Sequence, residues 1–406
     1  MTRTLLLRLF IPYALGNVLG AFYRTVTAVL APDLIDELGL GAEDLGLLTS
    51  IYFLVFAAAQ LPLGLLLDRY GARRVMAALF VVAGGGCIVF AGSTEMPMLA
   101  SGRALMGLGM SVALMGGFKA MVDWLPRRKI AFANGIVLMA GGLGSMSATM
   151  PVQWALSFTD WRGVFFGLGA ITLLVALIIL LVAPDKDRTA PAPSMKEAWL
   201  GLVQILCDRN FLLKAPLGGI TMGVAMSVTN LWSGPWLRDV TGVPRTEIAT
   251  ILFGMAAMMT IAVFLTGSVV ERLQRTGIPM LVTACAGIVV FIGLQALIVA
   301  DISVNPYFLW LPLAFFGTMP VLIYTVLTTA FPHALAGRVN TAYNFVVFVV
   351  GFAAQWSIGA IIDLWPPVAD GRFAPEGYRT ALGIMICFEI AAFVWLLVGN
   401  WRTKTG

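Results

Sequence analysis

Charged residues are scarce in this chain. Asp, Glu, Lys and Arg make up 12% of its 406 residues, whereas a soluble domain carries about 25%. Hydrophobic residues reach 59%, and the mean hydropathy is +0.91. This composition excludes an ordinary water-solvated surface and favours a surface solvated by lipid. The net charge of +5 forms no basic stripe with interleaved aromatic residues, so the sequence gives no indication of nucleic-acid binding.

Cysteine and histidine are also rare. The four cysteines, Cys87, Cys207, Cys285 and Cys387, lie far apart, which fits neither a disulfide framework nor the ligand spacing of a zinc site. The lone histidine, His333, falls in a predicted loop. The sequence shows no recognisable nucleophile–base set, metal cluster or phosphate loop. We therefore expect no enzyme activity, no cofactor and no metal site.

Long apolar stretches dominate what is present. Twelve of them have about 20 residues or more, the length that crosses a hydrocarbon layer of ~30 Å. They cover approximately 8–35, 45–67, 73–92, 97–122, 130–155, 161–183, 211–236, 247–270, 278–300, 307–331, 338–362 and 378–400. The sequence thus predicts an all-α membrane protein with twelve transmembrane helices. Its expected parts are an N-terminal six-helix bundle (1–183), a polar cytoplasmic linker (184–210) and a C-terminal six-helix bundle (211–406).

Basic residues are distributed unequally between the two sides of this predicted layout. Of the 26 Lys and Arg residues, 18 fall on one side, five on the other and three inside spans. Because cytoplasmic loops retain Lys and Arg, we expect both termini and the linker in the cytoplasm. The expected location is a bacterial-type inner (plasma) membrane, crossed many times.

The two halves of the chain resemble each other. Gly64 and Asp68 match Gly267 and Glu271 at an offset of 203 residues. The same offset relates Pro32 to Pro235, Asp36 to Asp239 and Gly39 to Gly242. Parallel repeats related by a pseudo-two-fold axis along the membrane normal are known in transporters. Since one chain holds both halves, we expect a monomer.

Two motifs carry a resemblance to a known family. The segment Gly64-x-x-x-Asp68-Arg69-x-Gly71-x-Arg73-Arg74 lies between the second and third spans and resembles the cytoplasmic signature of the major facilitator superfamily. Leu99-x-x-x-Arg103-x-x-x-Gly107-x-Gly109 resembles the second signature of that superfamily. The resemblance implies transport by alternating access between two helical bundles.

The first motif also suggests a gate. Asp68 can accept hydrogen bonds from a helix N-terminus or from nearby arginines, and such contacts can form in one conformer and break in another. Lys119 and Asp123 are four residues apart in the fourth span, so we expect them to pair. The predicted gating residues are Asp68, Arg69, Arg73, Arg74, Lys119, Asp123, Glu271 and Arg272.

Arg24 lies near the middle of the first span, without an acidic residue at helical spacing. The stretch from Tyr23 to Pro32, together with 46–50, is similar to organic-anion symporters of the superfamily. That resemblance implies that Arg24 binds a substrate carboxylate, which a guanidinium grips with two parallel hydrogen bonds. The alternative is an arginine bonded only to backbone carbonyls.

The proton-coupling carboxylates of those symporters are missing here. They carry an acidic residue where this chain has Tyr23, and a glutamate where it has Met110. Arg24 and Arg103 therefore make the first half electropositive at mid-depth, which favours an anionic solute. Glu389 is the remaining carboxylate deep within a span and is a candidate for proton coupling; a protonated or helix-bonded glutamate is the alternative.

Polar and aromatic residues in spans seven, ten and eleven would suit the body of an amphipathic solute. Packing and interfacial anchoring are alternative roles for them. Ser227 occupies the repeat position of Arg24. The predicted solute contacts are Arg24, Tyr23, Arg103, Ser227, Asn230, Trp232, Tyr324, Tyr343 and Asn344.

The resulting hypothesis is a secondary active transporter that moves a small organic anion, a carboxylate, across the inner membrane by alternating access. Proton coupling is the family expectation. An exporter of hydrophobic or drug-like compounds by proton antiport is the alternative, suggested by Met-rich and Trp-rich spans. A membrane sensor that keeps the transporter fold is a third. The expected partners are the solute, protons and the lipid bilayer.

Overall fold

The computed structural model describes residues 3–185, 195–302, 304–332, 335–368 and 372–405. These residues are almost entirely helical. The α-helices are α1 (Arg3–Leu38), α2 (Ala42–Ala91), α3 (Met96–Met110), α4 (Ala113–Trp124), α5 (Arg127–Ser147), α6 (Met150–Ala155), α7 (Trp161–Val182), α8 (Met195–Leu206), α9 (Arg209–Ser227), α10 (Ser233–Asp239), α11 (Arg245–Arg275), α12 (Met280–Val299), α13 (Tyr307–Phe316), α14 (Leu322–Thr329), α15 (Ala336–Ile362) and α16 (Pro375–Thr405).

Twelve helical stretches of the described residues are long and apolar enough to cross a membrane. The predicted class, an all-α membrane protein with twelve transmembrane helices, is confirmed. Helix is the expected form for these segments because an α-helix satisfies its backbone hydrogen bonds internally, and lipid offers no substitute for them.

Helix α2 makes two crossings. Its 50 residues would rise about 75 Å, more than twice the ~30 Å of a hydrocarbon core. The backbone leaves the helical conformation at Gly71, with φ 85° and ψ 157°. A residue without a Cβ adopts this conformation at little cost. The motif glycine therefore lets the chain turn back between the second and third spans.

Four of the spans are interrupted. A turn at Ser111 and Val112 separates α3 from α4, and residues 148–149 separate α5 from α6. A π-helical turn, Val228–Trp232, separates α9 from α10, and a 3-10 turn, Met319–Val321, separates α13 from α14. At membrane depth such breaks are tolerated where the backbone is buried in protein or lines a cavity.

Prolines account for two of these interruptions. Pro235 lacks the N–H that would bond the carbonyl of Leu231 inside the π-helical turn, and Pro320 lies within the 3-10 turn itself. Proline removes one helical hydrogen bond and its ring crowds the carbonyl four residues earlier. Both prolines are visible in the sequence, although the seventh and tenth spans were predicted as continuous helices.

The helix α8 lies inside the stretch predicted as a linker. Leu202 and Ile205 on it are buried, while Trp199 and Leu200 are exposed. One face of α8 therefore packs against the protein, while apolar residues on another face of the helix stay exposed. The predicted linker is a helix over this part of its length.

The chain forms two compact units. The first comprises residues within Met1–Leu38 and Ile51–Ala198, and the second comprises residues within Gly39–Ser50 and Trp199–Gly406. In the first unit, α1 packs against α4, α5 and α7, and its core holds large buried aromatic side chains such as Phe90 and Trp161.

In the second unit, α9 packs against α15 and α16, and α11 packs against α13. Aromatic rings fill one end of this unit: Trp236 lies 5.8 Å from Tyr378 and 6.4 Å from Trp310, measured between ring centroids. The hydroxyl of Tyr378 donates to the carboxylate of the buried Asp239 at 2.7 Å. This contact satisfies a polar group that would be costly to bury alone.

Candidate functional site

Arg24 stands on α1, near the middle of the span Leu6–Leu38. Its side chain is half-buried, whereas the neighbouring residues Tyr23 and Thr25 are buried. Among the described residues it forms no hydrogen bond or ion pair. An arginine inside a span is costly and normally faces a partner or a water-filled cavity. The guanidinium of Arg24 is therefore available to a ligand.

Arg103 on α3 is enclosed, with 1% of its surface exposed. Its Nη2 donates to Thr27 Oγ1 at 2.7 Å. The guanidinium carbon lies 4.8 Å from the ring centroid of Phe90 and 5.3 Å from that of Phe165, distances at which a cation is attracted to an aromatic face. The Nε of Arg103 has no hydrogen-bond partner. Protein contacts thus hold this cation in place and leave one donor unused.

Tyr52 on α2 lies close enough to both arginines for electrostatic interaction with each. It is 2% exposed, and its hydroxyl has no hydrogen-bond partner. Gly107 on α3 sets this position, because a Cβ there would overlap the backbone of Tyr52. The first unit thus brings together two cations and an unpartnered hydroxyl. No ion pair joins either cation to a carboxylate in the described part of the chain. This combination suits an anion.

Tyr23, one of the predicted solute contacts, is buried in this conformation. It is 1% exposed, and its hydroxyl lies 3.0 Å from Cys87 Sγ and 2.8 Å from Thr172 Oγ1. Consecutive helix residues point about 100° apart, so Tyr23 leaves α1 in a different direction from Arg24. Its hydroxyl is engaged in packing α1 against α2 and α7.

Ser227 and Trp232, two further predicted solute contacts, are also buried in this conformation. Ser227 is fully buried and donates to the carbonyl of Gly351 at 3.1 Å. Trp232 is 1% exposed, and its Nε1 donates to the carbonyl of Gln355 at 3.1 Å. Both side chains join the interrupted seventh span to α15. In this conformation they are packing residues.

The predicted contacts in spans ten and eleven form one cluster. Tyr324 donates to Asn344 Oδ1 at 2.7 Å, and the rings of Tyr324 and Tyr343 meet edge to face with centroids 4.3 Å apart. Tyr343 is fully buried, whereas Tyr324 and Asn344 are half-buried. The structure therefore brings these three residues together, with two of them open to a ligand.

Asn230 lies in the π-helical turn and is half-buried without a hydrogen bond to the described residues. Met222 and Met226, which precede it by eight and four residues, are half-buried as well, while most of α9 is buried. Residues at this spacing share one helix face. This face presents an amide and two adaptable thioethers.

Asp68, a predicted gating residue, contacts the cation of another predicted gating residue, Lys119. Lys119 Nζ lies 2.8 Å from Asp68 Oδ1 and 3.7 Å from Asp123 Oδ1. The expected pair of Lys119 and Asp123 is present, but the shorter contact joins α2 to α4. Because Asp68 lies on α2 and Lys119 on α4, their ion pair connects two helices, whereas the pair of Lys119 and Asp123 connects successive turns of one helix.

Two of the motif arginines, Arg73 and Arg74, contact the carboxylate of Asp185. Arg74 lies 3.1 Å and Arg73 4.0 Å from Asp185, and Arg73 Nε donates to the carbonyl of Leu180 at 2.9 Å. Arg69 stacks on Tyr70 instead, 5.2 Å from its ring centroid. These contacts tie the turn after the second span to the end of α7.

The repeated motif in the second half is arranged differently. Glu271 accepts from Arg275 at 2.6 Å, four residues later on the same helix. Arg272 is exposed and has no hydrogen bond or ion pair among the described residues. The predicted gating pair of Glu271 and Arg272 therefore does not contact another helix in this conformation.

Asp363 is a functional candidate that sequence reasoning missed. Its carboxylate accepts from the backbone N–H of Ala42 at 2.9 Å and of Glu43 at 2.7 Å. A carboxylate at a helix N-terminus satisfies orphan donors and complements the helix dipole. About two turns earlier in the chain, Gln355 Nε2 donates to Thr49 Oγ1 at 2.6 Å. These contacts join Gly39–Ser50 to the last turns of α15 within the second unit.

Glu389 on α16 is fully buried beside Gln295 on α12, which is 1% exposed. Gln295 Nε2 donates to Glu389 Oε2 at 2.7 Å. The other oxygen of each side chain, Oε1 in both cases, has no partner. Glu389 thus matches the alternative in which it bonds to a neighbouring helix.

The described residues contain no group of three or more His, Cys, Asp or Glu side chains able to hold a metal ion. The four cysteines are free thiols.

The described residues thus form a polytopic helical membrane protein with interrupted spans and a mid-span arginine that has no hydrogen bond or ion pair among them. Residues 13–355 match the Major Facilitator Superfamily, and the chain belongs to this family. The motif-based resemblance is confirmed.

Curated relatives include transporters of organic anions. The chain is 28% identical over 179 residues to the probable sulfoacetate transporter SauU of Cupriavidus necator, covering 43% of this chain and 41% of the relative. It is 28% identical over 171 residues to the hexuronate transporter of Escherichia coli K12, covering 41% and 39%. The chain thus spans about two fifths of the length of these relatives. The multidrug resistance protein MdtL of Escherichia coli is 27% identical over 228 residues, covering 54% and 56%.

Solved structures share the fold. A bacterial homologue of the human lysosomal transporter Spinster, in an inward-facing and unoccupied conformation, superposes with a TM-score of 0.79 at 18% identity over 98% of both chains. The D-xylose-proton symporter gives 0.73 at 14% identity, over 96% of this chain and 97% of the other.

Proposed function

We propose that this protein is a secondary transporter for a small organic anion, and that Arg24 binds the anionic group. The observation that carries the proposal is the half-buried guanidinium of Arg24, which has no hydrogen bond or ion pair among the described residues. A bound anion would supply the missing countercharge and remove the cost of an isolated cation in a low-dielectric setting.

The neighbouring groups support this assignment. The hydroxyl of Tyr52 has no hydrogen-bond partner, and Tyr52 lies within electrostatic range of both Arg24 and Arg103. Arg103 is held by Thr27 and two aromatic rings, which makes it a fixed source of positive potential. Carboxylates and sulfonates both present several acceptor oxygens to such a set of donors.

The solutes for which the relatives are named support an anionic substrate. Sulfoacetate, hexuronate and galacturonate are each named for a curated relative of this chain, and all three are small organic anions. We extend this substrate class, rather than any one of these compounds, to the present chain.

Coupling and topology are part of the proposal. The excess of Lys and Arg on one side of the spans supports cytoplasmic termini in an inner membrane. Proton coupling would have to use groups other than the acidic residues of the related symporters, since Tyr23 and Met110 occupy those positions. We keep 1–183 and 211–406 as the two halves that alternate, and a monomer as the transporting unit.

Melting of the purified protein against a ligand panel tests the substrate class. The panel contains monocarboxylates, dicarboxylates, sulfonates and neutral amphiphiles of similar size. We expect at least one anion to raise the Tm, because a ligand that binds the folded state stabilises it, and the Arg24→Ala variant to lose that rise. No stabilising anion, or equal stabilisation of the variant, would remove the proposal.

Export of drug-like compounds is a second candidate. The similarity to MdtL covers more of the chain than the similarity to the anion transporters, and the face formed by Met222, Met226 and Asn230 suits an apolar solute. Drug susceptibility of a deletion strain separates the two candidates. Increased susceptibility that plasmid-borne wild type reverses would favour export.

A further inference from the structure

An apolar pocket of about 310 Å³ lies between α11, α12 and the tenth span. Its walls include Leu265, Val269 and Val290, which are exposed to 49%, 48% and 41%. In a membrane protein, large apolar side chains with this exposure face lipid rather than water. The pocket is therefore open to the hydrocarbon layer and is separate from the solute site around Arg24.

The pocket has the depth of an acyl chain. Along α12 it extends from Thr283 to Val290, about 10 Å at 1.5 Å per residue. One leaflet contributes about 15 Å, half of the ~30 Å hydrocarbon core. Gly287 lets α12 and the tenth span approach each other closely beside the pocket, because a Cβ there would overlap the side chain of Met319.

Two hydroxyls in the pocket lack partners. Thr266 Oγ1 and Thr283 Oγ1 are buried without a hydrogen bond, and both residues line the pocket. A buried hydroxyl without a partner is costly.

A cation lies where the lipid headgroup would be. Arg272 follows Leu265 by seven residues and Val269 by three, so it leaves the same face of α11, at the end of the helix where α12 begins. It is exposed and has no hydrogen bond or ion pair among the described residues. Arg275 on the next turn is held by Glu271 at 2.6 Å. Arg272 is thus free for a phosphate.

From these features we propose that the groove between α11, α12 and the tenth span binds one anionic phospholipid. An acyl chain fills the apolar pocket, and Arg272 binds the phosphate. A basic side chain near the membrane surface attracts anionic lipid, and a guanidinium suits phosphate geometry. This site does not depend on the identity of the transported solute.

Native mass spectrometry of the delipidated protein in detergent tests the site. The probes are phosphatidylglycerol and phosphatidylethanolamine with identical acyl chains. We expect preferential retention of one phosphatidylglycerol, and a loss of about fivefold in that preference for Arg272→Gln. The matched control Arg275→Gln, whose arginine is already paired, should leave the preference unchanged.

A second variant tests the pocket itself. Ala286 lines it and is exposed, so Ala286→Phe fills the groove without crowding the protein core. It should lower the retention of both lipids, while an unchanged Tm shows that the fold is intact. Equal retention of the two lipids, equal effects of Arg272→Gln and Arg275→Gln, or unchanged retention by Ala286→Phe would each overturn the proposal.

Discussion

Replacing Glu389 by glutamine is predicted to leave the protein as stable as the wild type. In the structure one hydrogen bond of 2.7 Å joins Gln295 to Glu389, while Oε1 of each side chain lacks a partner. A glutamine at position 389 brings an N–H that can bond Gln295 Oε1, so that two amides exchange two hydrogen bonds. Each such bond is worth about 1 kcal/mol net, and the free energy of unfolding should change by no more than about that amount.

Replacing Glu389 by alanine should have a much larger effect. It removes the partner of the buried Gln295 amide, which costs about 1–3 kcal/mol, and it leaves a cavity between α12 and α16, which adds to that cost. The expected loss of about 2–4 kcal/mol corresponds to a Tm at least ~4 °C lower for a helical unit of some 200 residues.

Thermal melting in detergent, followed by tryptophan fluorescence, measures these differences. The reciprocal double variant Gln295→Glu/Glu389→Gln keeps the pair with its members exchanged and should melt near the wild type. If Glu389→Gln were as unstable as Glu389→Ala, the reasoning from the two orphan oxygens would be refuted. If Glu389→Gln kept its Tm but lost transport, Glu389 would be a proton-coupling residue rather than a packing residue.

Two further predictions concern packing and capping. Gly107→Ala should lower the free energy of unfolding by about 1–3 kcal/mol, because the added Cβ overlaps the backbone of Tyr52; Gly135→Ala, which has open space around it, is the control and should not destabilise. Asp363→Ala should weaken the cap on Gly39–Ser50 by about 1 kcal/mol, which hydrogen exchange would show as a roughly fivefold faster exchange of that segment; an unchanged rate would mean that the carboxylate does not hold it.

The spans were predictable because a bilayer imposes one length and one polarity on every crossing. Twelve apolar stretches followed from that constraint, and the charged motif that contains Gly71 marked the boundary between the second and third of them. Arg24 was recognisable for the same reason, since a cation in an apolar run stands out against its surroundings. These inferences need no knowledge of which helices are neighbours.

Features that depend on helix neighbours were not predictable. Tyr23 adjoins Arg24 in sequence, but its hydroxyl contacts Cys87 and Thr172 because α2 and α7 happen to pack on that side of α1. In the sequence, Gln295 is one amide within an apolar run, which does not indicate a role for it. Only the structure shows that its side chain bonds to Glu389, 94 residues later.

The contacts of Asp363 are a second feature that could not be predicted from the sequence. A carboxylate in a short loop after a helix is common, and the residues that it caps are more than 300 positions earlier in the chain. A single sequence contains no signal for such a pairing.

The central claim is that the guanidinium of Arg24 binds the anionic group of the solute. Equilibrium binding of the anion found by the melting panel, measured for Arg24→Gln and Arg24→Lys, tests this most directly, with Arg8→Gln as an exposed arginine on the same helix for control. Loss of a charged hydrogen-bonding partner in a buried site costs about 2–5 kcal/mol, so Arg24→Gln should weaken affinity roughly 30-fold or more. Arg24→Lys should retain part of the affinity and Arg8→Gln all of it. An Arg24→Gln variant that binds the anion as tightly as the wild type would contradict the account.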